Sequence, residues 1–508
     1  MRAPWIGFAV TCALIAGPSE LGAQNTSDSG IAFAPGYVEL LAAKMATKPF
    51  VPPTENVPEQ WAKLNYDQYR DIRFRSERAM WRGQGRNFEL HLLPSGWLYK
   101  QPISINIVED GRARPIEPEN ALFEFGLLAG PPPEGKVMGF SGFRINGPIN
   151  RPNVFDEIAV FQGASYFRAV SKGQAYGLSA RGLAINTGEP SGEEFPFFRT
   201  FWVETPPRGA RQLVVHALLD SASAVAAYTF RVAGGAPTII DVDVKLFPRR
   251  DGMQVGIAPL TSMFLFSTID RSRISDFRPA VHDNDGLAIV NGAREHVWRP
   301  LANPKRLQIS AFGVKDVRGF GLIQRARSFN DYEDLEANYE RRPSAWVQPK
   351  EAWGDGHVHL VEIPSEEEIH DNIVAYWRPL EPYRKDETYS FGYRLSWPED
   401  LPLPSDRAIV RKTLSGATNG AERKSGAIRY VVDFSGPNLA RMRETPTAAL
   451  SASAGKVSQP AVQRNPLTGG TRVDFLLKSE DAELIELRLE LKNGDKTISD
   501  VWLARWTK

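Results

Sequence analysis

The sequence is poor in three features, each of which would point to a particular class of protein: cysteine, net charge and long apolar runs. Only Cys12 is a cysteine, and it lies in a segment that we expect to be removed, so no disulfide or thiolate metal site is expected in the mature chain. Basic and acidic residues nearly balance, at 61 and 60, and no basic block is present. A nucleic-acid partner is therefore not expected, and a neutral polymer fits this charge balance better.

The one apolar run of note lies near the start of the chain. Arg2 precedes the apolar residues 6–16, and Leu21-Gly22-Ala23 offers small residues for cleavage, which predicts a secretory signal over residues 1–23. The run is shorter than the roughly 18 residues that a membrane helix needs, and no later segment approaches that length, so the mature chain is not expected to span a membrane. An uncleaved N-terminal anchor is the alternative. The lack of an Arg-Arg pair favours ordinary secretion over twin-arginine export.

Helical periodicity is also scarce, and the pattern of most of the chain predicts β-structure. Apolar and polar residues alternate from Ile240 to Leu246, which is the period of a strand with one buried face. Glycine and proline, 42 and 38 residues, separate many such short segments. One helix is predicted near the mature N-terminus, at residues 38–48. The pattern predicts a mainly β protein with a large antiparallel β-sandwich.

A Pro-rich polar stretch predicts a domain boundary after Trp397. We expect a large domain over residues 24–397, a linker over 398–406 and a small domain over 407–508. The last segment has the size and strand rhythm of an immunoglobulin-like sandwich. Asn493-Gly494 predicts a hairpin near its end.

Two acid-bearing turns lie between Asp276 and Trp377. The first is His282-Asp-Asn-Asp-Gly286 and the second is Glu366-Glu-Glu-Ile-His-Asp-Asn372. Several aromatic residues accompany them, namely Trp298, Tyr332, Tyr339, Trp346, Trp353, Tyr376 and Trp377. Carboxylates beside flat aromatic faces are what a protein needs to grip and cut a sugar chain, because glycosidic bond hydrolysis uses a pair of carboxyl groups.

Each of these features has a structural alternative. Glu368 and Asp371 would face one side if their turn were helical, but a Glu-rich run is more often a solvated loop. Asp283-Asn-Asp285-Gly is also a common turn, and it lacks the later glutamate of a calcium loop. Aromatic residues often belong to β-sandwich cores. Trp346, Trp353 and Trp377 stand among Pro, Gly and charged residues, which favours loops and hence binding.

Other candidate sites are less well supported, because residues that their chemistry requires are missing. His357 and His359 share a strand face and form a possible metal pair, but no third ligand is evident, so no metal or other cofactor is expected. Ser179 lies in a sequence short of a nucleophile elbow, because Arg181 replaces the second glycine, so a serine hydrolase is not expected. Arg342 is predicted to bind sugar hydroxyls or hold the carboxylates in place.

Several motifs resemble those of the periplasmic glucan biosynthesis proteins G and D, which serve osmoregulated β-glucans. They are Phe161-Gln-Gly-Ala-Ser-Tyr-Phe-Arg168, Tyr176-Gly-Leu-Ser-Ala-Arg-Gly-Leu-Ala184, Pro190-Ser-Gly-Glu-Glu-Phe-Pro196, Ala258-Pro-Leu-Thr-Ser-Met-Phe-Leu-Phe266, Arg278-Pro-Ala-Val-His-Asp283, Trp298-Arg-Pro-Leu-Ala-Asn-Pro304, Tyr339-Glu-Arg-Arg-Pro-Ser-Ala-Trp-Val347 and Asp371-Asn-Ile-Val-Ala-Tyr-Trp377. The resemblance covers nearly all of the mature chain. The ordinary secretion signal is more like the G branch than the D branch.

The resemblance implies a periplasmic protein with a galactose-mutarotase-like β-sandwich and a small immunoglobulin-like domain. It also implies a linear β-1,2-glucan substrate and, in some members, anomer-inverting glycoside hydrolysis. Two functions from different classes remain open. The chain is either an inverting hydrolase or transglycosylase, or a non-catalytic glucan-binding factor that works with a membrane glucosyltransferase.

The resemblance also assigns the site residues. The general acid falls on Asp371 and the general base on Asp283, while Glu368 and Tyr339 are expected to orient the acid or the sugar. Trp346, Trp353, Trp377 and Arg342 are predicted to bind the glucan.

Overall fold

The computed structural model describes residues 30–271, 274–401, 406–417 and 426–508. The secretion signal predicted at 1–23 and part of the linker predicted at 398–406 therefore lie outside the described residues. Within them the chain is mainly β, as the alternating apolar pattern predicts.

The strands of the first half of the chain, in order, are β1 (Ile31–Ala32), β2 (Ile72–Phe74), β3 (Glu89–Pro94), β4 (Ser104–Glu109), β5 (Arg112–Pro115), β6 (Phe123–Phe125), β7 (Phe140–Arg151), β8 (Val154–Gln162), β9 (Tyr166–Ala169), β10 (Ser179–Arg181), β11 (Leu183–Ile185), β12 (Phe197–Glu204), β13 (Leu213–Asp220), β14 (Ala224–Ala233), β15 (Thr238–Pro248), β16 (Val255–Ser262) and β17 (Phe264–Phe266).

The strands of the second half are β18 (Val281–His282), β19 (Gly286–Val290), β20 (His296–Pro300), β21 (Gln308–Lys315), β22 (Gly319–Ile323), β23 (Ala345–Pro349), β24 (Asp355–Glu362), β25 (Ile373–Pro379), β26 (Tyr389–Trp397), β27 (Ile409–Ala417), β28 (Ile428–Ser435), β29 (Thr447–Ala452), β30 (Lys456–Val457), β31 (Ala461–Asn465), β32 (Gly470–Lys478), β33 (Leu484–Asn493), β34 (Lys496–Thr497) and β35 (Val501–Thr507). The described helices are α1 (Tyr37–Ala46), α2 (Glu59–Ala62), α3 (Tyr66–Arg70) and α4 (Pro437–Arg441), with 3₁₀ helices at Ser76–Arg78, Asn120–Leu122, Phe329–Asp331 and Tyr339–Arg341.

Two large sheets form the main sandwich. The longer sheet has the order β1-β5-β4-β12-β13-β14-β15-β26-β23-β22-β19-β20-β35-β33-β29, and the second has the order β21-β24-β25-β16-β10-β9-β8-β7-β3. Pairing is antiparallel except between β4 and β12 and between β20 and β35. A short pair, β17 with β18, lies outside both sheets.

Aromatic side chains from both sheets fill the space between them. The ring of Phe143 on the second sheet lies 5.0 Å from that of Phe201 on the longer sheet, and Phe161 lies 5.1 Å from Phe230 in the same way. All four side chains are buried. Aromatic rings crossing between two sheets contribute both apolar burial and edge-to-face contacts, so the predicted β-sandwich is confirmed.

The alternating segment at Ile240 to Leu246 is the middle of β15, whose residues are alternately buried and half-buried along its whole length. The predicted helix near the mature N-terminus is also present, as α1. The glycine-rich residues 142–209 contain loops, the short strands β9, β10 and β11, and most of the long strands β7 and β8. Their glycines allow close strand approach: a Cβ at Gly142 would lie 2.1 Å from the carbonyl oxygen of Phe161.

The C-terminal strands form a smaller sandwich that is joined to the large one. One of its sheets contains β27, β28, β32, β30 and β31, and the other is the β35-β33-β29 end of the longer sheet. Tyr430, Phe475 and Trp502 pack between them. Trp298 and Ile323, from the large domain, belong to the same core. The hairpin at Asn493-Gly494 is present between β33 and β34.

Candidate functional site

The short segment that leads from β16 into β17 is the common support of both acid-bearing turns. The amide of Asp283 donates to the carbonyl of Met263 over 2.9 Å. From the other turn, the side-chain amide of Asn372 accepts from the Phe264 amide at 2.8 Å and donates to the Phe264 carbonyl at 2.9 Å. A third bond, of 3.0 Å, ties Asn372 to the carbonyl of Ile363. Residues far apart in sequence are thus fixed to adjacent backbone groups.

Asp283 is a buried carboxylate with a counter-charge. It is 3 % exposed, and its Oδ1 accepts a hydrogen bond from Nη1 of Arg342. Burial raises the pKa of Asp283, and the positive charge of Arg342 opposes that rise. Arg342 therefore partly offsets the effect of burial on this carboxyl and favours its ionised form.

The residues after Asp283 are structural. Asn284 is fully buried, accepts from the Ser262 hydroxyl at 2.8 Å and donates to the carbonyl of Pro343 at 3.2 Å. The carboxylate of Asp285 accepts from the backbone amides of Arg325 and Ala326. The turn alternative is therefore correct for Asp285, whereas Asn284 places the Arg342 segment beside Asp283.

Asp371 has the opposite environment. Its side chain is 31 % exposed, and its Oδ2 lies 3.7 Å from Nη2 of Arg168. Arg168 is itself positioned by a bond of 2.6 Å from its Nε to the hydroxyl of Ser179. Ser179, considered and set aside as a nucleophile, thus orients a cation beside the second acid.

The charges of Asp371 and Arg168 both act on the carboxyl group of Asp283. The negative charge of Asp371 raises the pKa of Asp283 further, while the charge of Arg168 lowers it. Because interactions between unit charges fall off with distance and solvent screening, this influence on Asp283 is consistent with nearby positions for the two carboxylates. Arg168 belongs to one of the family motifs but was not predicted as a site residue. Asp371, with which it pairs, is distant in sequence.

Glu368 lies at the rim of the site and is held by Arg278. Nη1 of Arg278 is 2.8 Å from Oε2 of Glu368 and 2.9 Å from Oδ2 of Asp334, while Nη2 is 2.8 Å from Oδ2 of Asp276. One guanidinium therefore connects three loops. The turn that holds Glu368 and Asp371 has no helix, so the helical arrangement considered for this pair is absent, and Glu366 and Glu367 are exposed.

Tyr339 is buried beneath Arg342. The guanidinium carbon of Arg342 lies 4.2 Å from the centre of the Tyr339 ring, and the ring of Tyr332 lies 5.7 Å away. Burial raises the pKa of Tyr339, and the charge of Arg342 opposes the rise. At 1 % exposure, Tyr339 supports Arg342 by a cation–π contact more than it offers a face to solvent.

The predicted tryptophan contacts need correction. Trp377 is 1 % exposed and Trp353 is 8 % exposed; their rings lie 5.1 Å apart within the main core. Trp346 is half-buried and packs against the smaller core shared with the C-terminal strands. Rings enclosed in this way have no free face for a sugar, so the core alternative holds for Trp353 and Trp377, and Trp346 faces the domain junction.

The histidine pair on β24 does not form a metal centre with other side chains. Burial lowers the pKa of His359 to about 3, and its ring stacks on that of Tyr376 at 5.1 Å. Among residues 30–271, 274–401, 406–417 and 426–508, no group of three or more His, Cys, Asp or Glu side chains is arranged to hold a metal ion.

A cavity of about 490 Å³ opens beside Arg168. Its walls include Tyr99, Arg144, Glu157, Gln162, Tyr166 and Tyr176. The lining combines aromatic faces with hydrogen-bonding and charged groups, which is the chemistry of a carbohydrate subsite. The sequence prediction missed these residues because they come from β7, β8, β9, the turn before β4 and the loop before β10, well before the acids in the chain.

Comparison with known proteins places the chain in a family. The family described as "Periplasmic glucan biosynthesis protein, MdoG" matches residues 33–506. Glucans biosynthesis protein G of Rhodopseudomonas palustris is 46% identical over 502 residues, covering 99% of this chain and 98% of that protein. The protein G of Bradyrhizobium diazoefficiens is 46% identical over 486 residues, covering 96% and 95%. That of a Shewanella species (strain W3-18-1) is 48% identical over 476 residues, covering 94% and 87%.

These matches confirm the resemblance, its closeness to protein G, the periplasmic location and the link to glucan biosynthesis. In the described part of the chain, no helix has the length and apolar character needed to cross a bilayer. Since the match runs through both sandwiches and both acid-bearing turns, the chain belongs to the MdoG family of periplasmic glucan biosynthesis proteins.

Proposed function

We propose that this protein cleaves or transfers linear β-1,2-glucan chains by an anomer-inverting mechanism. The observation that carries the proposal is the pairing of two carboxylates in opposite environments at one site. Asp283 is buried beside a guanidinium, and Asp371 is partly exposed beside Arg168, which lines the cavity. Hydrolysis with inversion needs one carboxylate to activate water and one carboxyl to protonate the leaving oxygen, and two carboxyl groups at one site can divide these tasks.

In this mechanism Asp371 donates the proton, because it can reach a bound glycosidic oxygen from the solvent-exposed side. Asp283 accepts a proton from the attacking water, and Arg342 keeps it ionised for that step. Arg168 lies beside Asp371 and binds sugar hydroxyls or steadies Asp371 through its planar fork of donors. Hydrolysis and transfer share these roles and differ only in the acceptor that reaches the reacting carbon.

The test is incubation of the purified mature protein with linear β-1,2-glucan, with Asp371→Asn as the control. We expect shortening or rearrangement of the polymer by the wild type and none by the variant. Proton nuclear magnetic resonance of the first products then checks inversion at the anomeric carbon. Unchanged polymer length at high protein concentration contradicts the catalytic proposal.

One observation favours a second candidate, a non-catalytic glucan-binding factor that works with a membrane glucosyltransferase. Asp283 has its Oδ1 committed to Arg342 and is almost fully enclosed, which also describes a purely structural carboxylate. A binding factor would hold the same glucan in the same cavity without needing either acid. Its signature is glucan affinity that survives Asp371→Asn, together with no turnover by the wild type.

A further inference from the structure

A strained turn projects aromatic side chains beside the cavity, on a segment that the functional motifs do not include. Trp97 has φ 52°, in the left-handed region that bulky residues rarely adopt, and it follows Gly96 with φ 145°. The turn is closed by two hydrogen bonds between Gly96 and Tyr99, of 2.9 and 2.7 Å, and the amide of Trp97 donates to the Trp61 carbonyl at 2.9 Å. Strain that is held by surrounding bonds in this way often marks a functional position.

Four aromatic rings group around this turn. Trp97 lies 5.5 Å from Tyr66, 5.8 Å from Tyr69 and 6.0 Å from Tyr99 between ring centres. Tyr66 is 56% exposed, and Leu98, at the tip, is 70% exposed. Tyr69, Trp97 and Tyr99 are half-buried, so the group presents one exposed ring, the exposed Leu98 and the partly open faces of three further rings. A contiguous, partly exposed apolar patch of this kind points to a ligand. We name Tyr66, Tyr69, Trp97, Leu98 and Tyr99 the aromatic platform.

Hydrogen bonds fix the inner part of the platform. The Tyr69 hydroxyl donates to the carbonyl of Pro94 at 2.7 Å, and it accepts from the side-chain amide of Gln162 at 2.9 Å. Gln162 also donates to Ser141 at 3.0 Å. Outside, Asn65 and Gln68 form a capping box that begins α3 and presents Tyr66 at its first residue. The rings are thus held in place before any ligand arrives, which reduces the entropy lost on binding.

The platform continues into the cavity and reaches the acids. Leu98 and Tyr99 line the cavity together with Arg168. Burial raises the pKa of Tyr99, and the charge of Arg168 opposes that rise across the cavity that both side chains line. Arg168 in turn pairs with Asp371. A path therefore runs over the protein surface from Tyr66 through Trp97 and Tyr99 to Asp371.

We propose that the aromatic platform is an outer sugar-binding surface that holds the part of a glucan chain distant from the acids and so favours long chains. Pyranose rings present flat faces of C–H groups that stack on aromatic rings, while their hydroxyls need the polar partners that Gln162 and Arg168 supply. This inference rests on the proposed function, because it takes the same glucan as the ligand. It assigns chain-length preference to a segment about 270 residues before the acid.

The test compares the affinity for polymeric β-1,2-glucan with that for a short oligosaccharide, by titration calorimetry on the inactive Asp371→Asn protein. The changes are Trp97→Ala and Tyr66→Ala. We expect Trp97→Ala to weaken polymer binding about tenfold and to leave the short ligand unchanged, because losing one stacked ring costs about 1.4 kcal/mol. Tyr66→Ala, at the far end, should have a smaller effect of the same kind.

Two further variants serve as controls. Trp97→Phe keeps a ring and should restore most of the preference. Leu40→Ala removes an apolar side chain of 74% exposure from α1, a helix on another part of the surface, and should change neither affinity. Circular dichroism checks that each variant is folded.

The outcomes separate this proposal from the one on which it rests. Equal weakening of both ligands by Trp97→Ala, or no weakening of either by both variants, contradicts the platform while leaving catalysis intact. If the Asp371→Asn protein binds no β-1,2-glucan of any length, both proposals are wrong.

Discussion

The two acid-bearing turns differ in how the protein holds them. The turn of Asp283 is buried, and its neighbours Asn284 and Asp285 are bound to three separate segments of the chain. The turn of Asp371 is open; Asn372, its immediate neighbour, anchors it to the interior, and Arg278 holds Glu368 at its rim. One carboxylate is thus surrounded by protein, whereas the other meets solvent and whatever occupies the cavity.

This difference teaches where each kind of chemistry can take place. A group that handles a single water molecule benefits from an enclosed, preorganised position. A group that protonates a polymer must stay accessible to the polymer when it binds. The roles proposed for the acids rest on the resemblance, and the contrast adds that the proposed base is shielded while the proposed acid is accessible.

The largest expected effect comes from replacing either acid, which tests the buried turn and the open turn together. Asp371→Asn and Asp283→Asn should each lower the rate of glucan cleavage by about 10²–10⁴-fold, because each removes a proton-transfer group. Their effects on stability should differ: Asp371→Asn should leave the melting temperature unchanged, whereas Asp283→Asn leaves the Arg342 charge without its partner. Reducing-end assays and thermal melts provide the two measurements. Equal destabilisation by both changes would remove the proposed contrast.

Replacing Arg342 is the next test of the contrast between the buried Asp283 and the open Asp371. Arg342→Met should raise the pKa of Asp283, because the cation that opposes the effect of burial is lost. The base must be ionised, so activity rises with pH through this pKa, and the acidic limb of the pH–rate profile should move to higher pH. Arg342→Lys keeps the charge and should shift the limb less. A limb that does not move in Arg342→Met would mean that Asp283 is not the base.

The same change should also affect folding. Leaving a buried carboxylate unpaired typically costs about 3–5 kcal/mol, and the partial exposure of Arg342 should place this case at the lower end. Urea denaturation at neutral pH measures the loss. It should shrink at low pH, where Asp283 is protonated in the variant and no longer needs a counter-charge.

Much of the fold was predictable from the sequence because it follows from local pattern. The alternation from Ile240 to Leu246, the helix at residues 38–48 and the Asn493-Gly494 hairpin each need only neighbouring residues. The two acids were identified by their resemblance to a family. Pairing between distant strands was not predictable in this way, so the parallel contact of β20 with β35, which joins the small sandwich to the large one, was missed.

The tryptophans show how far the candidate site could be predicted from the sequence. Trp353 and Trp377 stand among polar residues in sequence but are buried, because β24, β25 and β26 bring them together in the core. Arg168 and the aromatic platform were missed for the converse reason. They lie far from the acids in sequence, and only the pairing of β8, β9, β10 and β16 brings them near.

A moderate effect is expected at the anchors of the two turns. Asn372→Ala removes three hydrogen bonds to the backbone of Phe264 and Ile363 and should lower the free energy of unfolding by about 2–3 kcal/mol. Asn284→Ala removes two and should cost about 1–2 kcal/mol. Denaturant titration compares them. Because the turn of Asp371 is exposed and has less surrounding protein to hold it, Asn372→Ala should also lower activity more than Asn284→Ala does; the reverse order would show that the turn of Asp283 depends more on its anchor.

The smallest effect is expected at Glu368. Arg278 keeps its bonds to Asp276 and Asp334 when Glu368→Gln removes one charge, so the free energy of unfolding should change by less than about 1 kcal/mol. Activity should fall only a fewfold if Glu368 merely positions the open turn. Glu367→Gln, a nearby exposed change, is the matched control and should be silent in both measurements. A loss as large as that of Asp371→Asn would instead make Glu368 a direct participant, and the open turn would then carry two catalytic carboxylates instead of one.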